Sequence, residues 1–172
     1  MLFHVYSVLS DQQTKAKRMP IKRVQIYNMD GTIVCSLHRY KTINGARIDL
    51  QHWRDNSHLA MEDSLLPMAE QYKADLQDEN CFVIIATARV MGEKDWQFVT
   101  DILGMPDYFI HRKPEDTRSG GLLKIKGLQK FFNLKPFKGA EITFYEDNIQ
   151  YLKTVCDHFN IRGVYVPSKQ GH

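Results

Sequence analysis

Polar side chains that could act together stand directly after three apolar segments of strand length. They are Asn28 and Asp30 after residues 24–27, Thr87 and Arg89 after residues 81–86, and Glu146 and Asp147 after residues 141–145. A strand end is often polar merely because the chain leaves the core there. Three such ends favour a shared site, because the carboxyl ends of parallel strands face one crevice in which ligands bind. The sequence therefore predicts one site that combines carboxylate, hydroxyl and amide groups.

The elements that must position these side chains alternate along the chain between strands and helices. Strands are predicted at residues 24–27, 81–86, 108–110, 141–145 and 163–166, and helices around residues 65–76, 96–103, 122–132 and 149–159. The helical segments carry apolar residues every three or four positions. The second strand is apolar throughout, as expected where helices cover both faces of a sheet. This alternation predicts an α/β fold with a Rossmann-like, mainly parallel sheet and helices on both faces.

The length of 172 residues predicts a single domain, which we place at residues 21–172. Residues 1–20 form an N-terminal extension, either an extra edge strand or a mobile segment. Residues 35–64 interrupt the alternation and are rich in aromatic and basic side chains. We interpret them as a small insertion near the mouth of the site, a loop with a short helix, and we therefore expect a minimal cap.

The composition excludes several classes of protein. Hydrophobic residues make up 43% and charged residues 25% of the chain, as in soluble globular proteins, and no apolar segment is long enough to span a membrane. The apolar N-terminus has no basic residue before it, so a signal peptide is not expected. The three cysteines are unpatterned and the seven histidines lack ligand spacing. These features argue against a disulfide framework and a zinc site, and they indicate a cytoplasmic location.

Four short motifs resemble the ordered motifs of the haloacid dehalogenase superfamily of phosphotransferases. That family carries D-x-D-G-T, then Thr or Ser at a strand end, then Lys, then paired acids. The counterparts here are N-M-D-G-T at residues 28–32, Thr87, Lys124, and Glu146 with Asp147. The resemblance covers residues 22–166 and departs from the family at Asn28, where the family has Asp.

A narrower pattern is similar to the 3′-phosphatase domain of polynucleotide kinase–phosphatase and its phage relatives. The matching residues are His38 and Arg39, Leu50 to Trp53, Thr87 to Arg89, and Arg112, Asp116 and Arg118 ahead of Lys124. The G-x-x-x-x-G-K-[ST] loop of a kinase half occurs nowhere in the chain. The resemblance therefore concerns the phosphatase half alone.

The resemblance implies a Mg²⁺-dependent phosphomonoesterase that acts through an aspartyl-phosphate. Residue 28 would be the nucleophile. Asn28, the backbone carbonyl of Asp30 and Asp147 would bind Mg²⁺, and the Asp30 side chain would serve as acid and base. Thr87 and Lys124 would bind the transferring phosphoryl group. Further substrate contacts are expected from Gly31, Thr32, Ala88, Arg39, Arg89 and Arg112, and Glu146 would support the ligands without binding the metal.

Some of these assignments have competitors. Lys113 and Lys126 lie near Lys124, which we prefer because its spacing from Asp116 and Arg118 matches that of the relatives. The three arginines expected to contact substrate are either phosphate-binding residues or ordinary surface residues.

Asn28 removes the expected nucleophile, because a neutral amide oxygen attacks phosphorus poorly. Either Asp was replaced in an engineered variant, or the chain is a natural pseudo-phosphatase that binds a phosphorylated ligand. We favour the first explanation because Asp30, Lys124 and Asp147 are all in place. The expected substrate is a nucleic-acid 3′ end or a nucleotide, with a small phosphorylated metabolite as the alternative. The chain with Asn28 is expected to be inactive, and no membrane or obligate protein partner is expected.

Overall fold

The computed structural model describes residues 16–45 and 47–168. Its strands are β1 (Arg23–Tyr27), β2 (Val34–Cys35), β3 (Thr42–Ile43), β4 (Arg47–Ile48), β5 (Ser64–Leu65), β6 (Cys81–Val90), β7 (Tyr108–Arg112), β8 (Glu141–Glu146) and β9 (Arg162–Tyr165). Its α-helices are α1 (Leu50–Asp55), α2 (Met68–Gln77), α3 (Glu93–Phe98), α4 (Gly120–Phe132) and α5 (Ile149–Phe159). Five strands form one sheet in the order β7-β6-β1-β8-β9, and every pairing in it is parallel. The predicted α/β fold with a mainly parallel sheet is confirmed.

Helices cover both faces of this sheet because successive side chains of a strand point to opposite sides. On the central strand, Ile26 belongs to a core cluster with Leu128 of α4 and residues of α5. The next residue, Tyr27, belongs to a second cluster with Tyr72 of α2 and Phe98 of α3. Each face of the sheet therefore has its own core, as the sequence predicts.

Three strands, β6, β7 and β8, end later than the sequence predicts. The prediction ends the second strand at Ala86, but β6 continues to Val90, and its pairing with β7 shifts register between these residues. Thr87 and Arg89 therefore lie within an extended strand rather than after it. Glu146 likewise lies within its strand, as the last residue of β8. The polar residues still lie at the carboxyl end of the sheet.

The helix predicted at residues 96–103 consists of two parts. It begins at Glu93 as α3 and continues as a π-helical turn over Val99–Leu103. Gly104 ends it with a φ of 98°, as expected of a glycine that caps a helix. In the two described ranges of the chain, no helix is long and apolar enough to cross a membrane.

The insertion, residues 35–64, begins and ends in an antiparallel ribbon of β2 and β5, in which Val34 lies opposite Leu65. Between these strands lie the β3–β4 hairpin, α1, and two 3₁₀ turns at Leu37–Arg39 and Ser57–Glu62. The second turn packs against α3. The short helix is present as predicted, whereas the hairpin is an addition.

Only the end of the predicted N-terminal extension can be described, because residues 1–15 lie outside the described residues. Residues 16–20 contain no strand. The ammonium group of Lys17 donates to the backbone carbonyls of Leu76 and Asp78, at 2.9 and 3.1 Å. A cation at this place complements the negative C-terminal end of α2.

Candidate active site

The turn after β1 presents Asn28 and Asp30 at the carboxyl edge of the sheet. The backbone carbonyl of Met29 accepts hydrogen bonds from the N–H groups of Thr32, Ile33 and Val34, at 3.0–3.3 Å. The N–H of Gly31 donates to the Val34 carbonyl at 2.9 Å. These backbone groups therefore donate inside the turn in this conformation, and substrate contacts by Gly31 and Thr32 remain predictions.

Gly31 allows the turn to lie directly against Asp147. Its φ of 77° is in the region that favours glycine. A Cβ at this position would fall 2.1 Å from Asp147 Oδ2 and 3.1 Å from Ser168 Oγ. The backbone of the turn and the carboxylate at the end of β8 can approach each other only because residue 31 has no side chain.

The amide nitrogen of Asn28 is surrounded by oxygen atoms. It donates to the backbone carbonyl of Asp30 at 2.8 Å, to Asp147 Oδ1 at 2.8 Å and to Thr32 Oγ1 at 3.2 Å. The amide oxygen accepts a hydrogen bond from Lys124 Nζ at 3.0 Å. Asn28 therefore joins four of the predicted site residues.

Lys124 is the lysine that the structure places in this cluster. Its side chain is 1% exposed and pairs with Glu146, whereas Lys113 and Lys126 are exposed on the surface. Burial raises the pKa of Glu146 to about 7, although the neighbouring Lys124 ammonium opposes that rise. The second Glu146 oxygen accepts the N–H groups of Asp147 and Asn148, each at 3.1 Å. Glu146 therefore holds the start of the segment that carries Asp147, as expected for a supporting residue.

Asp30 has the most accessible of these carboxylates, with 19% of its side chain exposed. Arg89 donates to both of its oxygens, with Nε at 3.1 Å from Oδ2 and Nη2 on Oδ1, and Ser36 Oγ donates to it at 2.9 Å. Burial alone would raise the pKa of Asp30, but the Arg89 guanidinium outweighs burial and lowers that pKa. Asp30 is therefore ionised at rest.

Arg39 and Arg89 lie in a buried ion-pair network. Arg39 donates to both oxygens of Asp63, each at 2.9 Å. Asp95 Oδ1 accepts from Arg39 Nη2 at 2.8 Å and from Arg89 Nη1 at 2.7 Å. The Trp53 ring stacks on both guanidinium groups, 4.1 and 4.9 Å from their central carbons. Both arginine side chains are 0% exposed, so they are not ordinary surface residues, and their contact with a substrate phosphate remains a prediction.

Arg112 and Thr87 also make internal contacts. Arg112 donates to the backbone carbonyl of Ala88 at 2.9 Å and to those of Asp116 and Arg118 at 2.8 and 2.6 Å. It therefore ties the loop after β7 to β6. The buried Thr87 hydroxyl accepts the N–H of Arg89 at 3.1 Å. Substrate contacts by Thr87, Ala88 and Arg112 remain predictions.

Four residues that the sequence analysis does not select contribute to the site. One of them is Ser36, whose hydroxyl donates to Asp30 at 2.9 Å. Asp63 and Asp95 hold the buried arginines, and Ser168 Oγ donates to Asp147 Oδ2 at 2.8 Å. Asp95 resembles an ordinary acid in the first turn of a helix, since it also accepts the N–H of Gly92 at 2.8 Å. Ser168 follows the last strand, and no sequence signal marks it.

The metal ligands expected from the sequence remain a prediction. Within residues 16–45 and 47–168, no group of three or more His, Cys, Asp or Glu is arranged to hold a metal ion. The predicted set instead combines the Asp147 carboxylate, the Asp30 backbone carbonyl and the side chain at position 28. Oxygens of Asp30 and Asp147 converge on the Asn28 amide nitrogen. The N–H groups of the Asn28 amide, which carry partial positive charge, therefore already donate hydrogen bonds to both oxygens.

The chain is similar to known proteins in sequence and in fold. The model of a family described as bacteriophage T5 5′-deoxynucleotidase matches residues 12–102. The 5′-deoxynucleotidase of Escherichia phage T5 is 33% identical over 84 residues, which are 46% of this chain and 34% of the relative. The chain therefore matches about a third of that relative's length.

Two solved structures of the Pnkp1/Rnl/Hen1 complex, one described as an RNA repair complex, contain a similar chain. In the first, the TM-score is 0.62 at 18% identity, over 94% of this chain and 47% of the other. In the second, the TM-score is 0.63 at 16% identity, over 93% of this chain and 50% of the other. At these identities the likeness shows a shared fold.

Proposed function

Because the chain belongs to the bacteriophage T5 5′-deoxynucleotidase family, whose model matches residues 12–102, we propose that its site is that of a phosphomonoesterase acting on nucleotides or nucleic-acid ends. One observation carries the proposal. Asn28 and Asp30 from one turn, Lys124 from α4 and Asp147 from the end of β8 come from three separate segments and converge in one hydrogen-bonded cluster. The family relationship favours a deoxynucleoside 5′-monophosphate over a 3′-phosphorylated end as substrate.

We also propose that the active form uses Mg²⁺. The residues fit, because the Asp30 carbonyl and the Asp147 carboxylate are hard oxygen donors, which Mg²⁺ prefers, and both already face the side chain at position 28. These three groups would hold the ion. When bound, it would offset the negative charge that the substrate phosphate and the carboxylates bring together.

The chemistry requires a carboxylate at position 28. In the Asn28→Asp variant, that carboxylate attacks phosphorus, the ester P–O bond breaks, and the leaving oxygen takes the bond electrons and a proton from Asp30. A water molecule then gives a proton to Asp30 and attacks the phosphorus. The P–O bond to residue 28 breaks, which releases phosphate and restores the carboxylate.

Asp30 and Lys124 suit these steps. Arg89 favours the ionised form of Asp30, which is the form that accepts a proton from water. A bound phosphate dianion adds negative charge beside Asp30 and thereby favours the protonated form that the first step needs. Lys124 lies beside position 28, where it can offset the charge of the transferring phosphoryl group.

The test is phosphate release by the chain as it stands, by Asn28→Asp and by Asn28→Ala. The substrates are deoxynucleoside 5′-monophosphates, 3′-phosphorylated oligonucleotides and sugar phosphates. We expect Asn28→Asp to gain activity on the order of 10⁴-fold, because the nucleophile completes a unit whose members act together. A chelator should abolish that activity, and a hydroxylamine-sensitive acyl-phosphate should form at position 28. If the Asn28→Asp variant is as inactive as the Asn28→Ala variant on every substrate, the proposal is contradicted.

A second candidate is a binding protein that holds a phosphorylated ligand without cleaving it. Asn28 favours it, since the amide satisfies its neighbours without a metal. Calorimetry on the chain as it stands, with and without Mg²⁺, tests for binding of a deoxynucleoside monophosphate. Binding together with an inert Asn28→Asp variant would establish this second function.

A further inference from the structure

Asp95 occupies the centre of the ion-pair network behind Asp30. It lies in the first turn of α3 and is almost fully buried. One of its oxygens accepts hydrogen bonds from both Arg39 and Arg89, and the other accepts the N–H of Gly92. Asp95 therefore joins the insertion, which carries Arg39, to the strand that carries Arg89.

The charges in this network depend on one another. Two guanidinium groups face the three carboxylates of Asp30, Asp63 and Asp95. Buried charges are stable only when each has partners of opposite sign, and removal of one partner leaves the rest uncompensated. Without the charge of Asp95, Asp63 would be the carboxylate left between two buried cations.

Arg89 has two sides in this arrangement. Its Nε and Nη2 atoms contact the two oxygens of Asp30, while its Nη1 atom contacts Asp95 at 2.7 Å. Contacts to Asp63 are longer, at 3.3 and 3.4 Å. Because a guanidinium is planar and rigid, fixing Nη1 also fixes the direction of the other two nitrogens.

We propose that Asp95 is a positioning residue for the phosphatase reaction. It orients Arg89 so that the Arg89 guanidinium holds both oxygens of Asp30. The inference rests on the proposed function, in which Asp30 transfers the proton. Asp95 acts through Arg89 and is not itself a catalytic residue.

A first experiment uses the chain as it stands and does not depend on activity. Crystal structures are compared for the unmodified chain, Asp95→Asn, and the exposed control Asp101→Asn. We expect Arg89 to lose its contact with one or both oxygens of Asp30 in Asp95→Asn alone. An unchanged Arg89–Asp30 contact would overturn the proposal. If Asp95→Asn does not fold, the charge-balanced pair Arg39→Met with Asp95→Asn carries the same expectation.

A second experiment separates positioning from general damage, in the Asn28→Asp background. A deoxynucleoside monophosphate releases the deoxynucleoside, whose alkoxide oxygen needs a proton from Asp30, whereas 4-nitrophenyl phosphate releases the stable 4-nitrophenolate, which needs none. We expect Asp95→Asn to lower kcat/KM about 100-fold for the nucleotide and about threefold or less for 4-nitrophenyl phosphate. Equal losses on both substrates would overturn the proposal. An Asn28→Asp parent that is inactive on both substrates would instead refute the proposed function, and the crystal structures would still decide the role of Asp95.

Discussion

The Asn28 amide nitrogen lies within hydrogen-bonding distance of oxygens from Asp30, Thr32 and Asp147. An aspartate at this position would place an oxygen there, so that the new carboxylate oxygen, the Asp30 carbonyl and the Asp147 carboxylate would face one another with the Thr32 hydroxyl as their one donor among these four groups. Such a group needs a cation or a proton for stability. The amide and the carboxylate differ by one heavy atom. This atom decides whether residue 28 can act as a nucleophile and whether the site needs a cation for charge balance.

At the same scale, Gly31→Ala should damage the site more than backbone strain explains. The positive φ of 77° strains any alanine, by about 1 kcal/mol, and the added methyl group would also collide with Asp147. Gly139→Ala is a matched control, because Gly139 has a φ of 83° and no atom within 4 Å of an added Cβ. We expect both variants to lose stability in urea, and only Gly31→Ala to lose binding of a deoxynucleoside monophosphate in calorimetry. Unimpaired ligand binding by Gly31→Ala would contradict the close approach to Asp147.

At the scale of the elements, the sequence predicts the sheet and the strand ends that carry Asn28, Asp30 and Asp147. Apolar runs and polar strand ends are local signals, and the parallel sheet converts them into one site. No local signal in the sequence predicts that Arg39 is buried. Its partner Asp63 is 24 residues away, and neither residue is surrounded by a pattern that marks it as buried. The extension of β6 to Val90 was missed because Thr87 and Arg89 look like residues that leave a strand.

One face of the central strand depends on one carboxylate from α2. Asp75 accepts from Tyr27 at 2.6 Å, from Arg23 at 3.2 Å and from Gln25 at 3.3 Å, all side chains of the central strand. We expect Asp75→Ala to destabilise the protein by about 3 kcal/mol, because buried polar groups are left without their acceptor. Asp78→Ala is the control. Asp78 also pairs with Arg23, but the Asp78 side chain is 36% exposed. Its removal should therefore lower the free energy of unfolding by less than about 1 kcal/mol. Urea unfolding measures both values, and equal losses would contradict the difference in burial.

At the scale of the whole molecule, the predicted relationship to haloacid dehalogenase phosphatases is confirmed by the family match and the shared fold. The ordered motifs are sufficient to predict this relationship, because each lies near the carboxyl end of a strand of the sheet or on a helix packed against it. The sequence could not show how the insertion is joined to that sheet. The joining contacts are buried ion pairs between Arg39, Asp63, Asp95 and Arg89.

These ion pairs should make the insertion unfold together with the sheet. The chain has two tryptophans, and Trp53 lies in the insertion. In a Trp96→Phe variant, Trp53 fluorescence reports on the insertion and far-UV circular dichroism reports mainly on the sheet and its helices. We expect the two urea transitions to coincide, as in a two-state system. A fluorescence transition at clearly lower urea would show that the insertion opens independently.

The ribbon of β2 and β5 has an evolutionary consequence. Because Val34 lies opposite Leu65, the chain leaves the sheet and returns to it at neighbouring points. Arg39 and Asp63, near the two ends, are bonded to each other. The segment between them can therefore gain or lose length at the exposed β3–β4 hairpin without moving its own attachment points.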